Sequence, residues 1–116
     1  MEFENAICEQ LRQQAIALPQ VTEGSACVNR AFKVGKKNFL FVGEKDGQVK
    51  VMMRLFASVQ AAEAMDDPRV SVGKFGWITL RFAADDPLEF DLMEPWVEES
   101  FRGFAPKALI KELDAG

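Results

Sequence analysis

Two stretches of this chain concentrate positive charge in a protein whose net charge is −4. Residues 29–55 carry seven cations (Arg30, Lys33, Lys36, Lys37, Lys45, Lys50 and Arg54) against two acids, Glu44 and Asp46, a local excess of +5. Residues 69–82 add Arg69, Lys74 and Arg81 with no acid, a further +3, and set Trp77 among them. Clustered ammonium and guanidinium groups bind phosphates, and such binding is sensitive to salt and poor in sequence information. A tryptophan beside them can stack on a base or close over a cation. The same residues have a plain structural use. Lysines on strand faces and edges keep sheets from pairing edge to edge, turns recruit polar residues anyway, and helices can cover Trp77. A third stretch opposes the first two: Asp85, Asp86, Glu89, Asp91, Glu94, Glu98 and Glu99 form a run with no base among them. Such a run is commonly a solvated face. On the same face as the cations it would repel a polyanion.

Enzymatic machinery is harder to assemble. The chain has no His to act as a base near neutral pH and no Tyr. Cys27 would need a basic partner to become a nucleophile, and none is apparent. Cys8 falls one residue past an apolar helical stripe and reads as a small, partly buried residue. Two cysteines without histidine suggest neither a disulfide framework nor a zinc site, so the expected compartment is a reducing cytoplasm. Asp85-Asp86 has the oxygen chemistry of a hard-cation site, but such ligands alone would be weak and open to solvent. Gly73-Lys74 lacks the upstream glycine and following hydroxyl of a phosphate loop. No catalytic residue, metal or other cofactor is therefore expected, and the protein is not expected to be an enzyme.

The bulk composition agrees with one ordinary domain. The 116 residues are 48% hydrophobic and 28% charged, enough to build a core without metal or disulfides. No apolar run approaches the roughly 18 residues that a membrane span needs. The acidic start, Glu2 and Glu4, is not that of a secretory leader. A sequence pI near 4.9 argues mildly against a dedicated nucleic-acid binder, although it averages over unlike patches.

The elements that must position these residues follow from periodicity. Phe3, Ile7, Leu11, Ala15 and Leu18 have helical spacing, and Pro19 stops the helix. Gln20–Ser25 reads as a polar loop. Residues 28–55 read as three strands of a meander. One turn lies around Gly35-Lys36-Lys37, and the other is the hairpin signal Asp46-Gly47. Val49, Val51, Met53 and Leu55 alternate with Lys50, Met52 and Arg54. Ser58 caps a short helix reaching Met65. Val70 and Val72 open a second strand pair, Gly73–Gly76 is its turn, and Ile78, Leu80 and Phe82 alternate with Trp77, Thr79 and Arg81. Asp86-Pro87-Leu88-Glu89 has the form of a capping box. Pro95 then suggests a short helical turn over 87–93 and a fresh helix to Gly103, with a last helix from Pro106.

The segments Leu18-Pro19-Gln20-Val21-Thr22-Glu23-Gly24, Phe32-Lys33-Val34-Gly35-Lys36-Lys37-Asn38-Phe39, Gly76-Trp77-Ile78-Thr79-Leu80, Glu99-Ser100-Phe101-Arg102 and Ala105-Pro106-Lys107, in this order and spacing, resemble the MmcQ/YjbR family of small bacterial proteins. The resemblance covers nearly the whole chain. It departs where the family has Tyr at the position of Phe101 and a Gly-Gly-Lys turn at Gly35-Lys36-Lys37. It implies a two-layer fold likened to frataxin and to secretion chaperones. It also implies double-stranded DNA binding through paired hairpin wings, and no settled enzymatic activity. The frataxin likeness invites a metal analogy at the acidic run, which rests on the fold alone.

The expectation is a single domain, 1–116, of α+β class. It has a two-layer architecture in the order α-β-β-β-α-β-β-α-α, with an antiparallel sheet of about five strands and helices on one face. The expected function is low-specificity DNA binding by Arg30, Lys33, Lys36, Lys37, Lys45, Lys50, Arg54, Lys74, Trp77 and Arg81. The alternative is a protein- or peptide-interaction module, or a homodimer, using Leu40, Met52 and Trp77 on an uncovered sheet face. No membrane partner is expected.

Overall fold

In the computed structural model, which describes residues 3–26, 29–86 and 90–115, the alternating segments pair as one six-stranded antiparallel sheet. Its strands are β1 Val21–Ala26, β2 Asn29–Val34, β3 Lys37–Lys45, β4 Gln48–Arg54, β5 Val70–Val72 and β6 Trp77–Ala83, in the order β1-β2-β3-β4-β6-β5. The helices are α1 Ala6–Ile16, α2 Val59–Ala64, α3 Phe90–Phe104 and α4 Lys107–Ala115. None of them is long and apolar enough to cross a membrane.

Period-two alternation builds the inner face of the sheet. Phe32, Val34, Leu40, Val42, Val49, Val51, Met53, Ile78, Leu80 and Phe82 are buried. They join Cys8, Leu11 and Ala15 of α1 and Met93, Trp96, Val97 and Phe101 of α3 in one core. Each large apolar side chain so buried contributes about 1.5–3 kcal/mol relative to exposure. α1 and α3 touch each other and β3, and α2 packs on β5. Leu109 and Leu113 bring α4 onto the same core. The α+β class and the antiparallel sheet are as expected.

Several details differ. Gln20–Ser25 is not a loop: β1 pairs with β2 in full register, Val21 opposite Val34 through Ala26 opposite Asn29. An edge strand needs little apolar content of its own, because its partner supplies the ladder. Here Glu23 also holds Arg12 of α1 at 3.1 Å and Arg30 of β2 at 2.9 Å. α1 starts at Ala6 because Asn5 caps it, its Oδ1 accepting from the N–H groups of Ile7 (2.9 Å) and Cys8 (3.1 Å). α2 follows Ser58, whose hydroxyl donates to Glu99 and caps nothing. Pro95 does not restart a helix: α3 runs through it. The bond it forgoes would join Asp91, and both residues are exposed, so water can satisfy the freed carbonyl while apolar packing holds the helix. The capping box at 86–89 falls largely outside the described residues.

A register shift between Phe32 and Lys33 inserts an extra residue in β3. Phe39 and Leu40 are both fully buried, and Phe41 is the residue that reaches the outer face. Leu40 therefore has no part in an uncovered apolar patch. Beside the shift, the fully buried Ser100 of α3 donates its hydroxyl to the carbonyl of Phe39 (2.6 Å) and accepts from the N–H of Arg54 (3.1 Å). Its neighbour Glu99 accepts from the N–H groups of Phe56 (2.7 Å), Ala57 (2.9 Å) and Ser58 (3.1 Å). Burial pushes the Glu99 carboxyl up, but these bonds and the Ser58 hydroxyl outweigh it and hold the pKa below the ordinary value.

Two outcomes follow. Ser100→Ala leaves a buried carbonyl and a buried N–H without a partner. It should cost about 1–3 kcal/mol in urea unfolding; an unchanged midpoint would show that the stitch is not needed. A depressed folded pKa means that Glu99 stabilises the fold above its unfolded pKa of about 4.3 and loses that contribution as pH falls through the folded value. Glu99→Gln should therefore be less stable than wild type at neutral pH. The gap should narrow as pH drops below about 4.3 in thermal melts at graded pH.

Candidate nucleic-acid interface

Cross-strand register sorts the polar residues onto the outer face in rows. Gly24, Ala31, Phe41, Met52, Thr79 and Ser71 lie side by side across all six strands. On one side of that row lie Asn29, Gly43, Lys50 and Arg81, then Lys45, Gln48 and Ala83. On the other lie Thr22, Lys33 and Asn38, with Arg54 opposite Trp77. These rows hold five cations (Lys33, Lys45, Lys50, Arg54 and Arg81) and no acid. None of their large side chains is buried.

The acidic run is elsewhere. Asp91, Glu94 and Glu98 are exposed on α3, whose other side is in the core beneath the inner face. Asp86 is ion-paired with Arg69, and Glu99 is held by the 56–58 amides. Asp85 is exposed just past the end of β6, and Glu89 lies outside the described residues. The exposed acids of α3 therefore lie in the layer opposite the outer-face rows, while Asp85 lies at the end of the sheet where Ala84 N–H donates to the Gly47 carbonyl.

Ion pairing separates the candidate cations further. Arg12, Arg30, Arg69 and Arg102 are in ion pairs. Among the described residues, no carboxylate pairs with Lys33, Lys36, Lys37, Lys45, Lys50, Arg54, Lys74 or Arg81. Lys37, exposed at the start of β3, is opposite the inward Val34 and so belongs to the turn, not to the outer-face rows, and Arg30 is a correction to the candidate set. It sits opposite the inward Val42, donates to Glu23 and to the hydroxyl of Ser25 (2.8 Å), and belongs to the helix side of the sheet. Arg54 is on the outer face but engaged: its guanidinium lies 4.9 Å from the Phe56 ring centroid and 5.8 Å from that of Phe104. Trp77 is half-buried, with Phe41 and Phe104 at centroid distances of 6.1 and 6.0 Å, so much of its face is already taken. Phe56 lies over Gly103, where any Cβ would collide with its ring.

The loops divide between the two ends of the sheet. Successive hairpins of a meander point opposite ways, so the Gly35-Lys36 turn and the Asp46-Gly47 turn are separated by the nine residues of β3, about 27 Å. Lys45, Lys50 and Arg81 are toward one end. Lys33, Lys36, Lys37, Arg54, Lys74 and Trp77 are toward the other, where the 73–76 loop adjoins the end of β4 through a bond from Arg54 Nε to the carbonyl of Phe75 (2.6 Å). Phe75 is the residue that sequence reasoning passed over, 78% exposed at this loop. A large apolar side chain flanked by turn glycines was the available signal.

The Cys8 thiol is buried, and burial, with the nearby Glu44 charge, pushes its pKa up to about 12. Cys27 lies outside the described residues. Among the described residues no three acids or cysteines gather as a metal site.

A search of curated proteins finds no match to the chain. The sequence model of the YjbR family matches residues 16–103, from the end of α1 to the last turn of α3, about three-quarters of the chain. On that match, which takes in the cationic rows, both hairpins and the Glu99-Ser100 stitch, the chain belongs to the YjbR family.

Proposed function

We propose that this protein binds double-stranded DNA through the phosphate backbone, with low sequence specificity, on the outer face of the sheet and its flanking loops. The observation that carries this reading is the run of outer-face rows with no acid and five cations that no carboxylate among the described residues pairs, while the exposed α3 acids lie on the opposite layer. Lys50 and Arg81 stand directly opposite each other on adjacent strands. Like charges so placed repel and cost stability, and an anion between them removes that cost. Most of these cations are lysines, point charges that grip phosphates without reading base edges. Binding without catalysis fits the absence of histidine and the inert Cys8.

A second reading rests on the half-exposed Phe41 and Met52 of the central row and Trp77 toward one end of the same face. They would suit a protein or peptide partner, or a second copy of the chain. Sedimentation decides the homodimer version: a monomer at high concentration excludes it.

Anisotropy of a labelled short duplex tests the first reading. Affinity should fall steeply as salt rises. The double reversal Lys36→Glu/Lys37→Glu should weaken binding and lower the log–log salt slope by about two, near 0.9 for each lost phosphate contact. No binding at low salt, where attraction is greatest, or unchanged affinity of the variant, would overturn it.

A further inference from the structure

The loop between β5 and β6 carries two costs at one residue. Phe75 is 78% exposed, and its backbone stands at φ +60°, ψ 24°. The left-handed region is strained for a bulky L-residue, and glycine or asparagine would occupy it more readily. The loop is nevertheless well tied. Gly73 N–H donates to the carbonyl of Trp77 (2.7 Å), Leu55 N–H to that of Gly76 (2.8 Å), and Arg54 Nε to that of Phe75. Gly76, at φ +84°, presses on the Leu55 carbonyl where any Cβ would collide. Strained residues persist where the surroundings over-determine them, and they cluster at ligand-contacting sites. Behind the loop, Phe56 and Trp77 each pack on Phe104, and Arg54 lies over Phe56 and Phe104, whereas Phe75 takes part in no aromatic pair among the described residues. The exposed, unpaired Lys74 precedes it, and the Gly35-Lys36 turn occupies the same end of the sheet.

We infer, resting on the DNA reading above, that Phe75 is a wedge that enters the minor groove and inserts between base steps. Lys74 and the Lys36-Lys37 turn hold phosphates beside it. A phenyl ring has no donor or acceptor with which to read base edges. Its favourable contact with a duplex is apolar, between partly unstacked bases, and such insertion kinks the helix. The flanking glycines keep the tip narrow, as a groove about 6 Å wide requires. The wedge and the cations then have separable effects: cations set affinity and its salt dependence, and the wedge sets the bend.

The test compares wild type, Phe75→Asn and Lys36→Glu/Lys37→Glu on a duplex labelled at both ends for energy transfer and carrying a fluorescent adenine analogue. Wild type should bend the duplex and brighten the analogue. Phe75→Asn should lose both signals and about tenfold in affinity, keep the salt slope, and melt no lower than wild type because Asn suits the left-handed backbone. Wild type that binds with steep salt dependence but leaves the duplex straight and stacked would overturn the wedge and leave the DNA reading standing. Absence of duplex binding by wild type would remove both. Loss of self-association in Phe75→Asn, with bending intact, would make Phe75 a protein contact and overturn the wedge.

Discussion

The bonds made by Ser100 set the orientation of everything else. Strand pairing leaves Phe39 C=O and Arg54 N–H facing the helical layer beside the register shift, and one hydroxyl satisfies both. A buried hydroxyl can do this only if α3 lies at one rotation and one height above the sheet. That rotation places Met93, Trp96, Val97 and Phe101 inward and the exposed acids of α3 outward. It also brings Phe104 beside Trp77 and delivers the Glu99 carboxylate to the amides preceding α2. The Glu-Ser pair is thus a matter of assembly, and the Phe at position 101 fits the same role, packing edge-on against Phe39 at 5.6 Å.

Layering explains how an acidic protein can present a cationic surface. Helical and sheet layers pack roughly 10 Å apart, comparable with the Debye length near 0.1 M salt. The outer-face rows hold no acid and the exposed α3 carboxylates stand beyond the helical layer, so the local charge of that face is opposite in sign to the net charge of −4.

The legible parts of the fold were those where one face is buried and the other wet. β4 and β6 alternate without interruption, and their inward and outward sets are as read from sequence. β1 was illegible because an edge strand is defined by its neighbour, and its Glu23 gave no hint of serving Arg12 and Arg30 together. The misplacement of Arg30 follows from the same gap, since its partner belongs to the strand that was not seen. Leu40 was misplaced on the outer face because a bulge shifts parity without any mark in an all-apolar run. Pro95 misled because its cost depends on whether the freed carbonyl reaches water. Of the candidate cations, Lys33, Lys50 and Arg81 lie on the outward face as alternation required. That the two hairpins point to opposite ends is a property of connectivity, visible once β3 was a strand.

Gly103 couples the surface of α3 to the outer face of the sheet. A glycine inside a helix is worth about 1 kcal/mol less than alanine, yet here it gives the Phe56 ring room against α3. That ring, with Phe104, is what the Arg54 guanidinium rests against. A methyl group on the helical side would lift the ring and release the guanidinium on the sheet side. The charge pattern of the outer face is therefore governed in part by the smallest residue of a helix in the other layer, and drift at position 103 would retune it without altering a single charged residue.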